Sequence, residues 1–471
     1  TNALGWCVHT PPAWAPAVVT PFQLETWIAP TVRGERTECY AITEEGAGSD
    51  VDAIAATARR DGDDYVLHGT KMHVTSFNHA DYAFFQAKLV GGDHEGEHVM
   101  LFVDVDTPGV RVVRTPAYSH TYRDHHPIVA FEDVRVPAAN VLGEVGKGFK
   151  VAMKILNAGR TGLGGGSVGG LKRLIELAVH QARERVQFGR PIATFGSIRE
   201  KLGQMVVDCY AAETVVNLVA GLADRGFEDM AVESAISKVL ATEAIGRAAD
   251  EALQIAGGAG YMRELPYERV VRDCRINRIF EGTNEILRLF IALAAMNDVG
   301  EELNGVAESM RGVLADPVKG FGVLSDYAKR RASLATGLPR SKGRWTLLAP
   351  QVADEAAVFE DAARELAITT DRLLRKHGKK IIEAQLPTKR LGDVMIDLFT
   401  LGALLARVST RIEDHGEAAA AMEREILKVF AHQAKRRAGA NFAAMDDNED
   451  AGVEKLAAHV IEAGRYTWDN L

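Results

Sequence analysis

The chain has 471 residues, 47% apolar and 25% charged, a composition of globular proteins and a length that allows two to four domains with a large core. Its formal net charge of -9 argues against a nucleic-acid binder, which carries a basic excess. Four cysteines, Cys7, Cys39, Cys209 and Cys274, share no metal-ligand spacing, so they read as free thiols in a reducing compartment and no metal is expected.

No apolar run stands out as a membrane span; the best, Leu398 to Val408, breaks at Asp397 and Arg407. No signal peptide is read at the start, and Thr rather than Met as the first residue points to processing, truncation or an absent start. The pattern predicts an α+β chain in four parts. Residues 1–36 hold a helix from Thr20 to Ala29, with apolar residues at helical spacing. Residues 37–138 turn to period two: a hairpin over Ile54 to Thr75 with Asp61-Gly62 as its turn, then strands at Tyr82 to Leu89, His98 to Val105 and Ile128 to Val136. Residues 139–300 read as a bundle of four helices, at about 147–187, 196–226, 230–257 and 282–299. Residues 301–471 are a helical extension with a Gly/Pro-bearing connector at Gly337 to Pro350.

Chemistry concentrates in Arg272 to Arg288, RDCRINRIFEGTNEILR. Glu281 follows the apolar pair Ile279-Phe280, and burial there raises a carboxyl pKa, which suits a general base. Gly282 lets backbone approach a ligand, and Thr283 and Asn284 can bond it or cap the next helix; a capped helix with a surface acid is the plainer reading of the same residues. Thr43 ends a strand before a loop with Gly46, Gly48 and Ser49, whose N–H and hydroxyl donors suit phosphates, although a Gly/Ser turn explains it as well. Gly164, Gly166 and Gly169 fit G-x-G-x-x-G, but helical sequence precedes them, so close helix packing is the better account. His120, His125 and His126 with Asp124 suggest a loop rather than a metal centre.

Four motifs in order, YAITEEGAGSD (Tyr40 to Asp50), ERVQFGRPI (Glu184 to Ile192), QIAGGAGY (Gln254 to Tyr261) and IFEGTNEILR (Ile279 to Arg288), resemble those of acyl-CoA dehydrogenases over about residues 10 to 300. The tail beyond 300 is similar to the extra helical region of the very-long-chain branch. The resemblance implies a β-barrel-like middle domain, a four-helix bundle and a C-terminal helical domain, with the N-terminal helical domain largely absent. It implies FAD as cofactor and α,β-dehydrogenation of a fatty acyl-CoA to trans-2-enoyl-CoA in β-oxidation, with Glu281 as the base. Some relatives carry the base on the preceding bundle helix, where this chain has Gly159.

By the same resemblance, Tyr40, Ile42, Thr43, Ser49, His73, Thr75, Arg185, Phe188, Gln254, Gly257, Gly258, Thr283 and Glu285 contact FAD, with Arg185, Phe188 and the Gln254 loop reaching a neighbouring subunit's flavin. Ser49, Asn157, Arg160 and Gly282 contact acyl-CoA. This sequence departs from the pattern at His73, where tryptophan is usual, at Asn157, usually aspartate, and at Gly196, usually glutamine. The implied partners are acyl-CoA, an electron-transferring flavoprotein and further copies of the chain, as a homodimer or higher oligomer. Six basic residues between Lys329 and Arg344 read as a solvated face or, by the resemblance, a peripheral membrane contact. The implied compartment is the bacterial cytoplasm or the mitochondrial matrix. Two other classes fit the same residues: an acyl-CoA oxidase using oxygen, and a non-catalytic binding or assembly protein on the same fold.

Overall fold

Thr20 opens the first helical segment with a reciprocal cap: Gln23 N–H donates to its hydroxyl at 3.2 Å, and its own N–H donates to Gln23 Oε1 at 3.1 Å. The segment runs as Pro21–Gln23, a π turn over Leu24–Ile28, and Ala29–Val32. The computed structural model describes residue 15 and residues 18–120, 125–227, 229–297 and 347–468. The chain divides into two compact units, Thr1–Asn284 and Glu285–Leu471.

In the first unit, β1 (Glu38–Ala41), β2 (Thr57–Asp61), β3 (Asp64–Lys71), β4 (Tyr82–Val90), β5 (His98–Asp104), β6 (Val110–Arg114) and β7 (Ile128–Pro137) form one sheet. Its order is β1-β4-β2-β3-β7-β6, with β5 also paired to β4. Alternation along β4 and β5 divides their side chains between two cores. Phe85, Leu101 and Val103 join Phe131 on one face. Tyr82, Phe84, Met100 and Phe102 meet Trp27 and the start of the first long helix on the other. Because both faces are covered, these strands are apolar almost throughout. The hairpin turn is one residue later than expected, at Gly62-Asp63, since Asp61 pairs with Asp64. β6, a short strand with mostly exposed side chains, had no strong pattern to announce it.

The bundle is built from α1 (Gly148–Glu184), α2 (Gly196–Asp224) and α3 (Ala231–Ala256), with the two-residue strands β8 (Val186–Gln187) and β9 (Arg190–Pro191) after α1. The short α4 (Tyr267–Cys274) follows, then α5 (284–297). Leu171, Leu174, Met205, Cys209, Ala241 and Ile245 interlock in its core. Contrary to the sequence expectation, α2 is long and apolar enough to cross a membrane by length and composition, but half of its most apolar stretch is buried in the bundle. The glycine run of α1 also needs correction. A Cβ at Gly164 would lie 2.7 Å from Ser237 Oγ and one at Gly170 2.5 Å from Ile245 Cδ1, whereas Gly166 and Gly169 face open space. Close packing therefore explains Gly164 and Gly170 only.

The second unit holds α6 (Ala353–His377), α7 (Gln385–His415), α8 (Ala421–Ala443) and α9 (Asp450–Ala463). Ala292 and Met296 pack there with Leu373, Ile381 and Leu391. Ion pairs Arg288–Asp393 and Arg390–Asp450, each 2.5 Å, tie α5 and α9 to α7. The basic stretch 329–344 lies outside the described residues.

Candidate active site

After α4 and the 3₁₀ turn Arg275–Arg278, the chain reverses through Glu281 (φ 59°) and Gly282 (φ 86°) before α5. A left-handed glutamate costs on the order of 1–2 kcal/mol, and a buried network holds it. Lys238, fully buried on α3, donates at 2.8 Å to the Gly282 carbonyl and at 2.8 Å to Asn284 Oδ1. Asn284 Nδ2 donates on to Thr242 Oγ1 and Glu243 Oε1, both at 3.2 Å. From α1, Arg160 Nε donates to the Glu281 carbonyl at 3.0 Å and its Nη1 to Asn157 Oδ1 at 2.9 Å. The turn is thus pinned at the Glu281 carbonyl by α1 and from Gly282 to Asn284 by α3.

As a residue Glu281 is half-buried, but its Oε2 is sealed from solvent and has no hydrogen-bond partner among the described residues. Helix α1 supplies the wall: a Cβ on Gly159 would lie 3.0 Å from Oε2 and 3.1 Å from Cδ. Ile279, expected to supply it, is 48% exposed. Burial pushes the Glu281 carboxyl up to about 7, with Arg160 and Lys238 pulling it part of the way back. Tyr40 stacks on Phe84 at 5.0 Å, and burial together with the nearby Glu38, Tyr82 and Glu281 pushes its phenol well up.

On the sheet side, a buried ion pair shapes the Gly/Ser loop. Lys71 Nζ donates to Glu44 Oε1 at 2.7 Å and to the Ile42 carbonyl at 3.0 Å, while Glu44 accepts from the N–H groups of Ala55 and Ala56 at 2.7 and 3.1 Å. Thr43 is half-buried, its carbonyl accepting from Met72 N–H at 2.8 Å, and Ser49 is exposed at the far end of the loop. Beyond Lys71 the chain makes a second strained turn, with His73 (φ 56°) and Ser76 (φ 67°) left-handed and His73 exposed. Thr75 Oγ1 lies 2.9 Å from His126 Nδ1, and His126 Nε2 lies 2.9 Å from His120 Nε2. Among the described residues no three His, Cys, Asp or Glu groups are arranged as metal ligands; Asp124 lies outside them.

The remaining site residues are elsewhere. Arg185 follows the C-terminal end of α1, 25 residues beyond Arg160, or about 37 Å at 1.5 Å per helical residue, and Phe188 comes just after it. Phe188 is 93% exposed with a left-handed backbone (φ 51°), and Arg185 makes no ion pair with another described residue. Gln254 and Gly258 are exposed at the end of α3, where Gly257 (φ 63°) caps the helix by donating to the Gln254 and Leu253 carbonyls. Thr283 is half-buried in the turn, and Glu285 is exposed on α5.

An exposed cation, an exposed aromatic ring and a glycine cap thus lie apart from the turn that carries Glu281, which Arg160 holds. Three positions that matter here were not singled out from sequence: Lys238, the Lys71–Glu44 pair and the His126 contact to Thr75. A lone lysine amid the apolar residues of SAISKVL was the available signal for the first.

Residues 39–134 match the acyl-CoA dehydrogenase middle domain, residues 146–296 the acyl-CoA dehydrogenase C-terminal domain, and residues 350–466 the ACAD9/ACADV C-terminal domain. The mitochondrial very long-chain specific acyl-CoA dehydrogenase of Bos taurus is 35% identical over 463 residues, covering 96% of this chain and 70% of that protein. That of Rattus norvegicus is 34% identical over 436 residues, covering 91% and 66%. This chain spans about two thirds of the length of such relatives. Among solved structures, the Bacillus anthracis acyl-CoA dehydrogenase complexed with FAD superposes with a TM-score of 0.79 at 28% identity, covering 99% of this chain and 79% of that one.

Proposed function

The chain belongs to the acyl-CoA dehydrogenase family, and from that premise we propose that it is an FAD-dependent dehydrogenase of long-chain fatty acyl-CoA, forming trans-2-enoyl-CoA in β-oxidation. The observation that carries the reading is Glu281: a carboxylate held in a strained turn, its Oε2 buried without a partner and its pKa near neutrality. Such a group is poised to accept the weakly acidic proton α to a thioester. Arg160 holds the Glu281 carbonyl and Lys238 the Gly282 carbonyl, so the backbone that carries the carboxylate is fixed. Among the described residues the Glu281 N–H has no acceptor, which leaves it available to a thioester oxygen as charge develops there.

When bound, the flavin supplies the hydride acceptor. Tyr40, Ile42, Thr43, Ser49, His73, Thr75, Thr283 and Glu285 would hold it from one subunit, and Arg185, Phe188, Gln254, Gly257 and Gly258 from another. Arginine suits the pyrophosphate because its planar fork meets two oxygens at once. Asn157, Arg160 and Gly282 with Ser49 would line the acyl-CoA path. Electrons would pass to an electron-transferring flavoprotein. The long-chain assignment draws on the match of residues 350–466 to the ACAD9/ACADV C-terminal domain. The compartment proposed is the bacterial cytoplasm or, after the mitochondrial relatives, the mitochondrial matrix.

Anaerobic addition of saturated acyl-CoAs of increasing length to the FAD-loaded protein tests the reading. Loss of flavin absorbance, strongest with long chains, is expected. A yellow protein that no acyl-CoA bleaches would make it a binding or assembly protein, and rapid reoxidation by air with stoichiometric peroxide would make it an oxidase.

A further inference from the structure

Thr75, His126 and His120 form a hydrogen-bonded line beside the start of β7. Thr75 Oγ1 and His126 Nδ1 are 2.9 Å apart, as are His126 Nε2 and His120 Nε2. The imidazole in the middle is 8% exposed and held on several sides. Its backbone N–H donates to the Tyr118 hydroxyl at 2.5 Å, and the Tyr118 ring meets it edge-on at 4.8 Å while stacking on His120 at 4.9 Å. Burial, with His120, His125 and His73 nearby, pushes the His126 pKa down to about 3. The ring is therefore neutral at physiological pH and carries one N–H.

A neutral imidazole between a hydroxyl and a second imidazole permits two directions of donation. In one, His120 Nε2–H donates to His126 Nε2, and His126 Nδ1–H donates to Thr75 Oγ1. The Thr75 proton then points away from the pair. In the other, Thr75 donates to His126 Nδ1, His126 Nε2–H donates to His120, and Thr75 offers only lone pairs. The His73 carbonyl, 3.5 Å from Thr75 Oγ1, is too distant to hold the proton well.

We propose that His126 is a positioning residue which, carrying its hydrogen on Nδ1, presents the Thr75 hydroxyl as a donor to the flavin ring. The inference rests on the reading of a flavin beside Thr75. By the family resemblance Thr75 would meet the flavin ring near N5, which in the oxidised flavin bears a lone pair and no hydrogen, so only the first direction would give it a hydrogen bond. His126 thus acts through Thr75 without touching the cofactor.

Two measurements test it. In full-length, flavin-loaded protein labelled with 15N-histidine, the His126 signals should show the one-bond N–H coupling at Nδ1. Separately, Thr75→Val and His126→Leu should each weaken FAD binding about fivefold, the worth of one ordinary hydrogen bond. Together they should do no worse than either alone, because the second acts through the first. His126→Asn, whose amide nitrogen replaces Nδ1 as a donor, should restore most of the affinity. A hydrogen on Nε2, or a double variant weakened multiplicatively (about 25-fold by the same estimate), would overturn the inference while leaving the flavin reading intact. Wild-type protein that takes up no flavin would overturn both.

Discussion

Holding a carboxylate ready to accept a proton has a cost in stability that depends on pH. The Glu281 pKa is raised from 4.5 to about 7 in the folded chain. Below 4.5 both folded and unfolded forms are protonated, and the folded state bears no penalty. As pH rises toward 7 the unfolded chain ionises freely while the folded one resists, so stability is lost across that window and stays lost above it. Glu281→Gln has nothing to ionise. We expect the flavin-free variant to exceed wild type by roughly 1–3 kcal/mol at pH 8, with much of the difference gone at pH 5. Thermal unfolding at the two pH values checks this; a difference independent of pH would mean that the carboxyl is not perturbed.

At the scale of elements, α1 serves the bundle and the site at different points along one helix. Alanine at Gly166 or Gly169, where a Cβ meets nothing, should raise stability by about 0.5–1 kcal/mol through helix propensity alone. Alanine at Gly164, facing Ser237 and Val216, should instead lower it by about 1–3 kcal/mol through overpacking. Chemical denaturation of the three variants distinguishes them, and a uniform gain would show that α1 does not pack closely at Gly164. The strands β4 and β5 were legible within a residue or so because burial on both faces gave long apolar runs between turn signals, and β7 because a short apolar run leads into alternating buried and exposed residues. β6 was not, since VRVVR is short and lies mostly exposed. Glu281 was legible through its motif, but the source of its burial was not. Gly159, Lys238 and Glu281 are far apart in sequence, and only folding brings the helices against the turn. His126 was read only as part of a loop cluster, and its bond to Thr75 was not legible because a histidine in a loop has no periodicity to betray what it bonds.

At the scale of the whole molecule, the proposal that Arg185 serves a neighbouring subunit's flavin makes assembly a condition of the proposed cofactor site. Arg185→Ala should leave the fold intact but lower FAD retention, and flavin occupancy of the wild type should fall on dilution as protomers separate. Ultracentrifugation with detection at the flavin band follows mass and occupancy together. A fully flavinated protomer at low concentration would contradict a shared site.

The most direct test of the account is the rate of flavin reduction by Glu281→Gln. The amide keeps the size of the carboxylate and most of its hydrogen bonding, so FAD and a long-chain acyl-CoA should still bind. Deprived of a base, the variant should bleach in an anaerobic single turnover at least about 10²–10⁴-fold more slowly than wild type. Bleaching at a rate near that of wild type would contradict the assignment of Glu281 as the base.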